Sequence, residues 1–336
     1  MHYIPSSPPV IKPVPAGQDR PLWSVMIPVY NCSQYLPETL ESVLQQAPSA
    51  EHMQIEVVDD ASTDTDVAAL VERIGKGRIK YYRQPQNVGS LSNFETCINR
   101  SRGELVHLLH GDDKVKPGYY EKIAKLFHTY PEAGAAFCRF DTVNEVGKVL
   151  NRIQPERQED GLLSNWLIRI GEQQRIQYAA ISVRREVYEK LGAFYNITYG
   201  EDWEMWVRIA RHYAVAYTPE VLAEYRRHNT SISGQMFLTA RYLQQLTKAM
   251  EMVQEHLPAD QRKTVIRKSR EHYAYYGLIV ARRLWKKTNN YASVQVNIKE
   301  ALRMHQSFGL YKEISWLYMR MYSKLPLLYL RDKLFR

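Results

Sequence analysis

Short apolar runs alternate with amphipathic stretches through the first third of the chain. SVMIPV (24–29), IEVV (55–58), RIKYY (78–82) and ELVHLL (104–109) are β-rich and bounded by polar turns, which predicts strands. Residues 35–46 and 91–101 have helical spacing, and Ser62, Thr63 and Asp64 are capping-type residues that open a further helix. Strands alternating with helices predict an α/β fold, a Rossmann-like, mostly parallel sheet flanked by helices. In such a sheet the ligand lies outside the carboxyl ends of the strands. Two of the strands lead into acidic pairs, Asp59-Asp60 and Asp112-Asp113, so carboxylates converge on one edge.

From about residue 134 to 230 the pattern continues. AGAAFCRF and IQYAAISV (176–183) read as strands, and 184–191 as a helix. Gly192-Ala193-Phe194 turns into a loop leading to Gly200-Glu201-Asp202 and a helix over 203–211, with Trp206, Ile209 and Ala210 on one face. From about residue 235 the pattern is helical throughout, with Leu238, Tyr242, Leu246 and Met250 in one stripe. These breaks divide the chain into a flexible Pro-rich arm (1–21), an α/β domain (22–234) and a basic α-helical C-terminal region (235–336).

Charge adds a feature that periodicity does not carry. The net charge over 336 residues is +9, but residues 235–336 hold 19 Lys and Arg against 7 Asp and Glu, and the remainder 26 against 29. A strongly basic tail predicts an anionic partner: a membrane surface, an acidic glycan or a nucleic acid. Nucleic acid is set aside because no nucleic-acid motif occurs. Two readings of the tail stay open, a packed appendage with a solvated basic face and a surface for peripheral membrane contact. Trp285, Trp316, Tyr318, Tyr322, Leu327 and Leu328 supply apolar material for the second. No run of about 18 apolar residues occurs, so no transmembrane helix is expected. The arm lacks the basic start and apolar core of a signal peptide. Cys32, Cys97 and Cys138 are widely spaced, as reduced, packing thiols of a cytoplasmic protein would be.

Several polar clusters could carry chemistry. Asp59-Asp60 could accept hydrogen bonds from a base or ribose, or cap the following helix. His110-Gly111-Asp112-Asp113 offers hard oxygen ligands to Mg2+ or Mn2+ beside a glycine that lets a diphosphate approach. The other reading is a solvated turn into the next helix. Glu201-Asp202, next to Trp203, would hold a desolvated carboxylate suited to a general base, or simply favour a helix N-terminus. Arg226-Arg227-His228 is either a phosphate and metal contact or a solvated basic loop.

Taken in order, SVMIPVYN, VVDDASTD, NVG, GELVHLLHGDD, GEDWEMWVRIA and YRRHNTSIS resemble the blocks of family 2 glycosyltransferases over about residues 22–232. The resemblance implies a GT-A fold, a nucleotide-diphospho-sugar donor (UDP or GDP type), a divalent metal (Mn2+ or Mg2+) and inversion at the anomeric carbon. It implies Pro28, Tyr30 and Asn31 beside the nucleotide, Asp60 on the base with Asp59 next to it, and Asn87 and Gly89 in the covering turn. Gly111 and Asp112 fall in the family's Asp-x-Asp segment, with Asp112 on the metal. Asp202, paired with Glu201, resembles the catalytic base, and His228 a late histidine that reaches the metal or diphosphate. Two departures stand out. His110 replaces the first acid of Asp-x-Asp, and Asn93-Phe94-Glu95 stands where many relatives carry Ala-Arg-Asn, so Arg226 or Arg227 would have to supply the phosphate contact. The expected activity is an inverting glycosyltransferase acting on a glycan or lipid-linked acceptor in bacterial polysaccharide or glycolipid assembly, in the cytoplasm or at the inner face of the membrane. A non-catalytic nucleotide-sugar or glycan-binding protein is the other reading. A nucleotidyltransferase is disfavoured because PVYNCSQY stands where its Gly-rich phosphate loop would be.

Overall fold

The computed structural model describes residues 3–18, 20–228 and 232–334. The chain forms two compact units, Met1–Ile170 with Gln174–His228, and Gly171–Gln173 with Asn229–Arg336.

The first unit is built on β1 (Trp23–Val29), α1 (Leu36–Leu44), β2 (Met53–Asp59), α2 (Val67–Gly75), β3 (Lys80–Arg83), α3 (Ser90–Arg100) and β4 (Leu105–Leu108). It continues through β5 (Lys114–Val115), α4 (Tyr119–Thr129), β6 (Ala133–Val143), β7 (Val149–Arg152), β8 (Gly161–Leu162) and the start of α5 (Trp166–Glu172). A 3-10 turn (Tyr178–Ala180) then leads to β9 (Ile181–Arg184), α6 (Arg185–Leu191), α7 (Glu201–His212) and β10 (Ala214–Arg226).

The sheet runs β3-β2-β1-β4-β9-β6-β10-β5, with β7 beside β6 and β8 beside β10. β3, β2, β1 and β4 are mutually parallel, as are β6 and β10, while β9 is antiparallel to both β4 and β6. Every residue of β1, β2 and β4 is buried, which is why those strands read as predominantly apolar without strict alternation, although Ser24, Gln54, Glu56, Asp59 and His107 are buried among them. Val29 is in register with Asp59 and Met26 with Leu108, so the loops after β1, β2 and β4 leave from one edge.

Two local expectations change. The helix after β2 begins at Val67 rather than at Ser62–Asp64, because Asp66 is the residue whose Oδ1 accepts the Ala69 N–H, at 3.0 Å. Within 176–183, Tyr178–Ala180 form a 3-10 turn, and only the residues from Ile181 onward are strand.

The Pro-rich segment differs from the mobile arm that its composition suggests. An extended proline chain has no internal hydrogen bonds, so its carbonyls are free to accept others. The Pro9 and Pro5 carbonyls take the N–H groups of Ala193 and Asn196, at 3.1 and 2.8 Å. Lys12 N–H donates to Asn99 Oδ1 at 3.1 Å, and Ile11 is 1% exposed.

The second unit holds α8 (Ile232–Leu238), α9 (Arg241–His256), α10 (Ala259–Thr288), α11 (Tyr291–Met304) and α12 (Phe308–Leu334). Its core joins Leu278 and Trp285 of α10, Ile298 of α11 and Leu317 and Met321 of α12. Tyr242, Leu246 and Met250 are buried as their stripe predicts. Leu238 is exposed, because Ala240 takes a left-handed conformation (φ 55°) and the helix restarts there. Among the described residues no helix is long and apolar enough to cross a membrane. The side chains of Leu327 and Leu328 lie outside the described residues.

Candidate active site

The loop after β2 separates the two acids of Asp59-Asp60. Asp59 is fully buried. Its Oδ1 accepts the Ser62 N–H at 2.9 Å, and its Oδ2 accepts Tyr81 Oη at 2.7 Å and Arg83 Nη1 at 2.5 Å. It therefore ties β2 to β3, which corrects the expectation that it faces a nucleotide. Asp60 takes Val88 N–H on Oδ1 (2.7 Å) and Gly89 N–H on Oδ2 (3.0 Å), so it fixes the turn that carries Asn87 and Gly89. Gly89 has φ 87°, a value that favours glycine. Neither aspartate caps a helix.

Asn31, at φ 49°, locks the loop after β1 to the same region. Its N–H donates to Ser62 Oγ at 3.0 Å and its Oδ1 accepts Thr63 N–H at 2.8 Å. Pro28 is buried in β1, and Tyr30 beside it is 51% exposed.

After β4 the chain passes close to the end of β1. Gly111 N–H donates to the Pro28 carbonyl at 3.2 Å. A Cβ at Gly111 would lie 2.9 Å from both Cys32 Sγ and Val29 Cγ2, so packing demands the glycine, independently of any approach by a diphosphate. The His110, Asp112 and Asp113 side chains offer ligand atoms that all lie within 4.8 Å of one another. The His110 ring lies between Phe94 and Tyr178, with centroids 5.1 and 4.3 Å away, and its buried Nε2 has no hydrogen-bond partner. An orphaned imidazole nitrogen beside two carboxylates is a donor set that fits a divalent cation.

The two aspartates differ. Burial and the charge of Asp112 push the Asp113 carboxyl well above its usual range, and its Oδ1 accepts the Arg226 N–H at 2.8 Å. Burial also acts upward on Asp112. The His228 hydrogen bond (Nε2 to Oδ2, 2.8 Å) and the charges of His110 and His228 outweigh it and hold Asp112 below the ordinary carboxylate value. Asp112 is thus the more acidic of the two carboxyls.

Arg226 corrects another expectation. Its guanidinium is 1% exposed and donates to the Asp112 carbonyl (3.0 Å), the Glu145 carbonyl (2.9 Å) and Glu38 Oε2 (2.8 Å). It binds the loop after β4 to α1 with three of its five N–H donors, and its burial there holds the guanidinium inside the protein instead of presenting it to a phosphate. Arg227 is half-buried, and its side chain has no partner among the described residues. Asn229, Thr230 and Ser231, from the last of the resembling blocks, lie outside the described residues.

Glu201 and Asp202 form the first turn of α7, behind Gly200 at φ 87°. Asp202 Oδ1 accepts the Trp203 N–H at 2.7 Å, and its Oδ2 accepts the Gln174 amide. Tyr178 Oη donates to Glu201 Oε1 at 3.2 Å. Burial and the neighbouring Asp202 charge raise Glu201 to about 8. Burial raises Asp202 to about 6, against the pull of Trp203 and Gln174. Tyr178 therefore touches His110 with its ring and Glu201 with its hydroxyl, joining the two acidic clusters. Neither Tyr178 nor Gln174 was marked by sequence, since a tyrosine inside an apolar run reads as core.

Solved structures share this architecture. Staphylococcus aureus TarS 1–349 in complex with UDP-GlcNAc superposes with a TM-score of 0.64, at 14% identity over 83% of this chain and 79% of that one. A mannosyltransferase from Pyrobaculum calidifontis, in complex with GDP-Man and Mn2+, gives 0.57 at 16% identity over 95% and 90%. The fold is that of the GT-A glycosyltransferases. Among curated relatives, the Bacillus subtilis protein named for teichuronic acid biosynthesis as glycosyltransferase TuaG is 29% identical over 228 residues, covering 66% of this chain and 85% of its own. An uncharacterised glycosyltransferase of Haemophilus influenzae is 28% identical over 229 residues, covering 65% and 69%. The family model "Glycosyl transferase family 2" matches residues 24–192, and the chain belongs to that family. It is a transferase enzyme, not the binding protein that the sequence alone left open.

Proposed function

We propose that the protein transfers a sugar from a nucleotide-diphospho-sugar to an acceptor hydroxyl with inversion, and that Asp202 is the general base. The observation that carries this reading is the contact chain His110–Tyr178–Glu201, which joins a cation-competent cluster to the first turn of α7, where the adjacent Asp202 carboxyl is raised to about 6. In a single in-line displacement, Asp202 accepts the acceptor proton as that oxygen attacks the anomeric carbon. Glu201, protonated at neutral pH, keeps a second negative charge away from it.

Asp112, with His228, would hold the divalent ion, Mn2+ or Mg2+, and His110 Nε2 faces no competing partner. When bound, that ion neutralises charge growing on the leaving diphosphate. Asp60, Asn31, Asn87, Gly89 and the exposed Tyr30 line the nucleotide side, and Arg227 takes the phosphate role expected of Arg226. The complexes of TarS with UDP-GlcNAc and of the Pyrobaculum enzyme with GDP-Man and Mn2+ support a UDP or GDP donor and a metal. A glycan acceptor in polysaccharide assembly is supported by analogy with the Bacillus relative, which is named for teichuronic acid biosynthesis.

The test is a screen of UDP- and GDP-sugars with Mn2+, following released nucleoside diphosphate and the anomeric configuration of the product. Asp202→Asn should abolish transfer and retain donor binding. Near-normal transfer by that variant, or a product of retained configuration, refutes the reading.

A further inference from the structure

The described part of α12 presents two unlike faces. Leu310, Ile314, Leu317 and Met321 are buried in the core shared with α10 and α11. The opposite arc carries Phe308, Tyr311, Trp316, Met319 and Tyr322, exposed at 86, 46, 46, 61 and 56%. At 3.6 residues per turn these five project over an arc of about 140°. Exposed apolar side chains are ordinarily scattered singly over a soluble surface, and here they fill one side of one helix.

The charges on the same stretch are cationic. Lys312 is exposed within the arc, and the Arg320 guanidinium lies 3.6 Å over the Trp316 ring. The one acid of this stretch, Glu313, is held by Arg282. Beside the arc a groove of about 450 Å³ is lined by Tyr275, Leu278 and Ile279 together with Lys312 and the Arg282–Glu313 pair. The whole region from 235 onward has 19 Lys and Arg against 7 Asp and Glu.

Aromatic rings with cations interleaved, and no free carboxylate, match the headgroup layer of an anionic bilayer. There rings sit among glycerol and carbonyl groups while cations meet phosphate. We infer that this face of α12 docks on the surface of an anionic lipid bilayer, lying in its plane without crossing it. The inference goes beyond the donor and base assignments and stands whether or not they hold.

The full chain is tested by co-sedimentation with vesicles of phosphatidylcholine alone and of phosphatidylcholine with phosphatidylglycerol. Two variants are compared, Phe308→Ser/Met319→Ser/Tyr322→Ser and Lys312→Ala/Arg320→Ala. All five positions are exposed, and circular dichroism checks that the fold is kept. The wild type should sediment with the anionic vesicles and not with the neutral ones. Each cation near such a surface contributes about fivefold to partitioning, so the charge variant should lose at least about tenfold, and the apolar variant as much. Equal binding to both vesicle types, or unchanged partitioning of the apolar variant, overturns the inference. So does an apolar variant that becomes monomeric by light scattering while still binding vesicles, since the face would then cover a second copy of the chain.

Discussion

Asp112 and His228 stand 116 positions apart in the sequence and meet through a 2.8 Å hydrogen bond. That bond joins the loop after β4 to the residues following β10, and it keeps the Asp112 carboxylate ionised in a buried setting. Removing a histidine that contacts or orients a metal-binding carboxylate typically weakens metal affinity about 10- to 100-fold. His228→Ala should therefore weaken Mn2+ binding by at least about tenfold, and Asp112→Asn should weaken it further. Titration of Mn2+ followed by electron paramagnetic resonance measures both without any need for turnover.

The carboxylates of α7 set a pH dependence. Asp202 must be ionised to accept a proton, and its pKa is raised to about 6. Turnover should rise as pH climbs through about 6 and level off above it. A rate profile flat from pH 5 to 8 would rule Asp202 out as the group that limits the reaction.

Glu201 has an effect on stability with the opposite sense. Its folded pKa, about 8, lies above its ordinary value of 4.5, so the folded state holds the proton more tightly than the unfolded chain. Its favourable contribution is complete below pH 4.5 and is lost as pH rises through about 8. Glu201→Gln should melt higher than the wild type at pH 9, and the advantage should vanish at low pH. Thermal melts across that range check the sign.

Arg226 and Arg227 should separate cleanly. Arg226→Ala removes the donor from two carbonyls and from Glu38, and should destabilise the fold by about 1–3 kcal/mol. Arg227→Ala should leave stability unchanged and raise KM for the donor. Denaturant titrations and steady-state kinetics on both variants decide the assignment.

Gly111→Ala places a Cβ 2.9 Å from Cys32 and Val29. Overpacking of this kind costs about 1–3 kcal/mol, and because the next residue is Asp112, Mn2+ affinity should fall together with the melting temperature. Loss of either alone would show that the loop and the core are not coupled there.

The α/β framework was legible because buried parallel strands leave an unmistakable trace. SVMIPV and IEVV lie in β1 and β2, and their ends fall side by side in register. Local chemistry was harder to place. Residues 59–66 hold several acids and hydroxyls of similar capping strength, and only the fold reveals that Asp66 caps while Asp59 binds Arg83. Arg226 reads as a surface cation until Glu38, distant in sequence, comes beside it. The orphaned His110 nitrogen depends on Phe94 and Tyr178 closing over the ring, which no spacing rule encodes.

The proline segment bears on the order in which the molecule is completed. Pro5 and Pro9 grip Asn196 and Ala193, in the loop that delivers Glu201 and Asp202 to the head of α7. Pro5 and Pro9 must wait for almost two hundred further residues to be synthesised before they find their place. The stretch bearing the carboxylate pair is in turn braced by residues from the other end of the unit. A fusion or tag that pulls on the first dozen residues would then be felt at the reaction centre, although those residues touch no substrate.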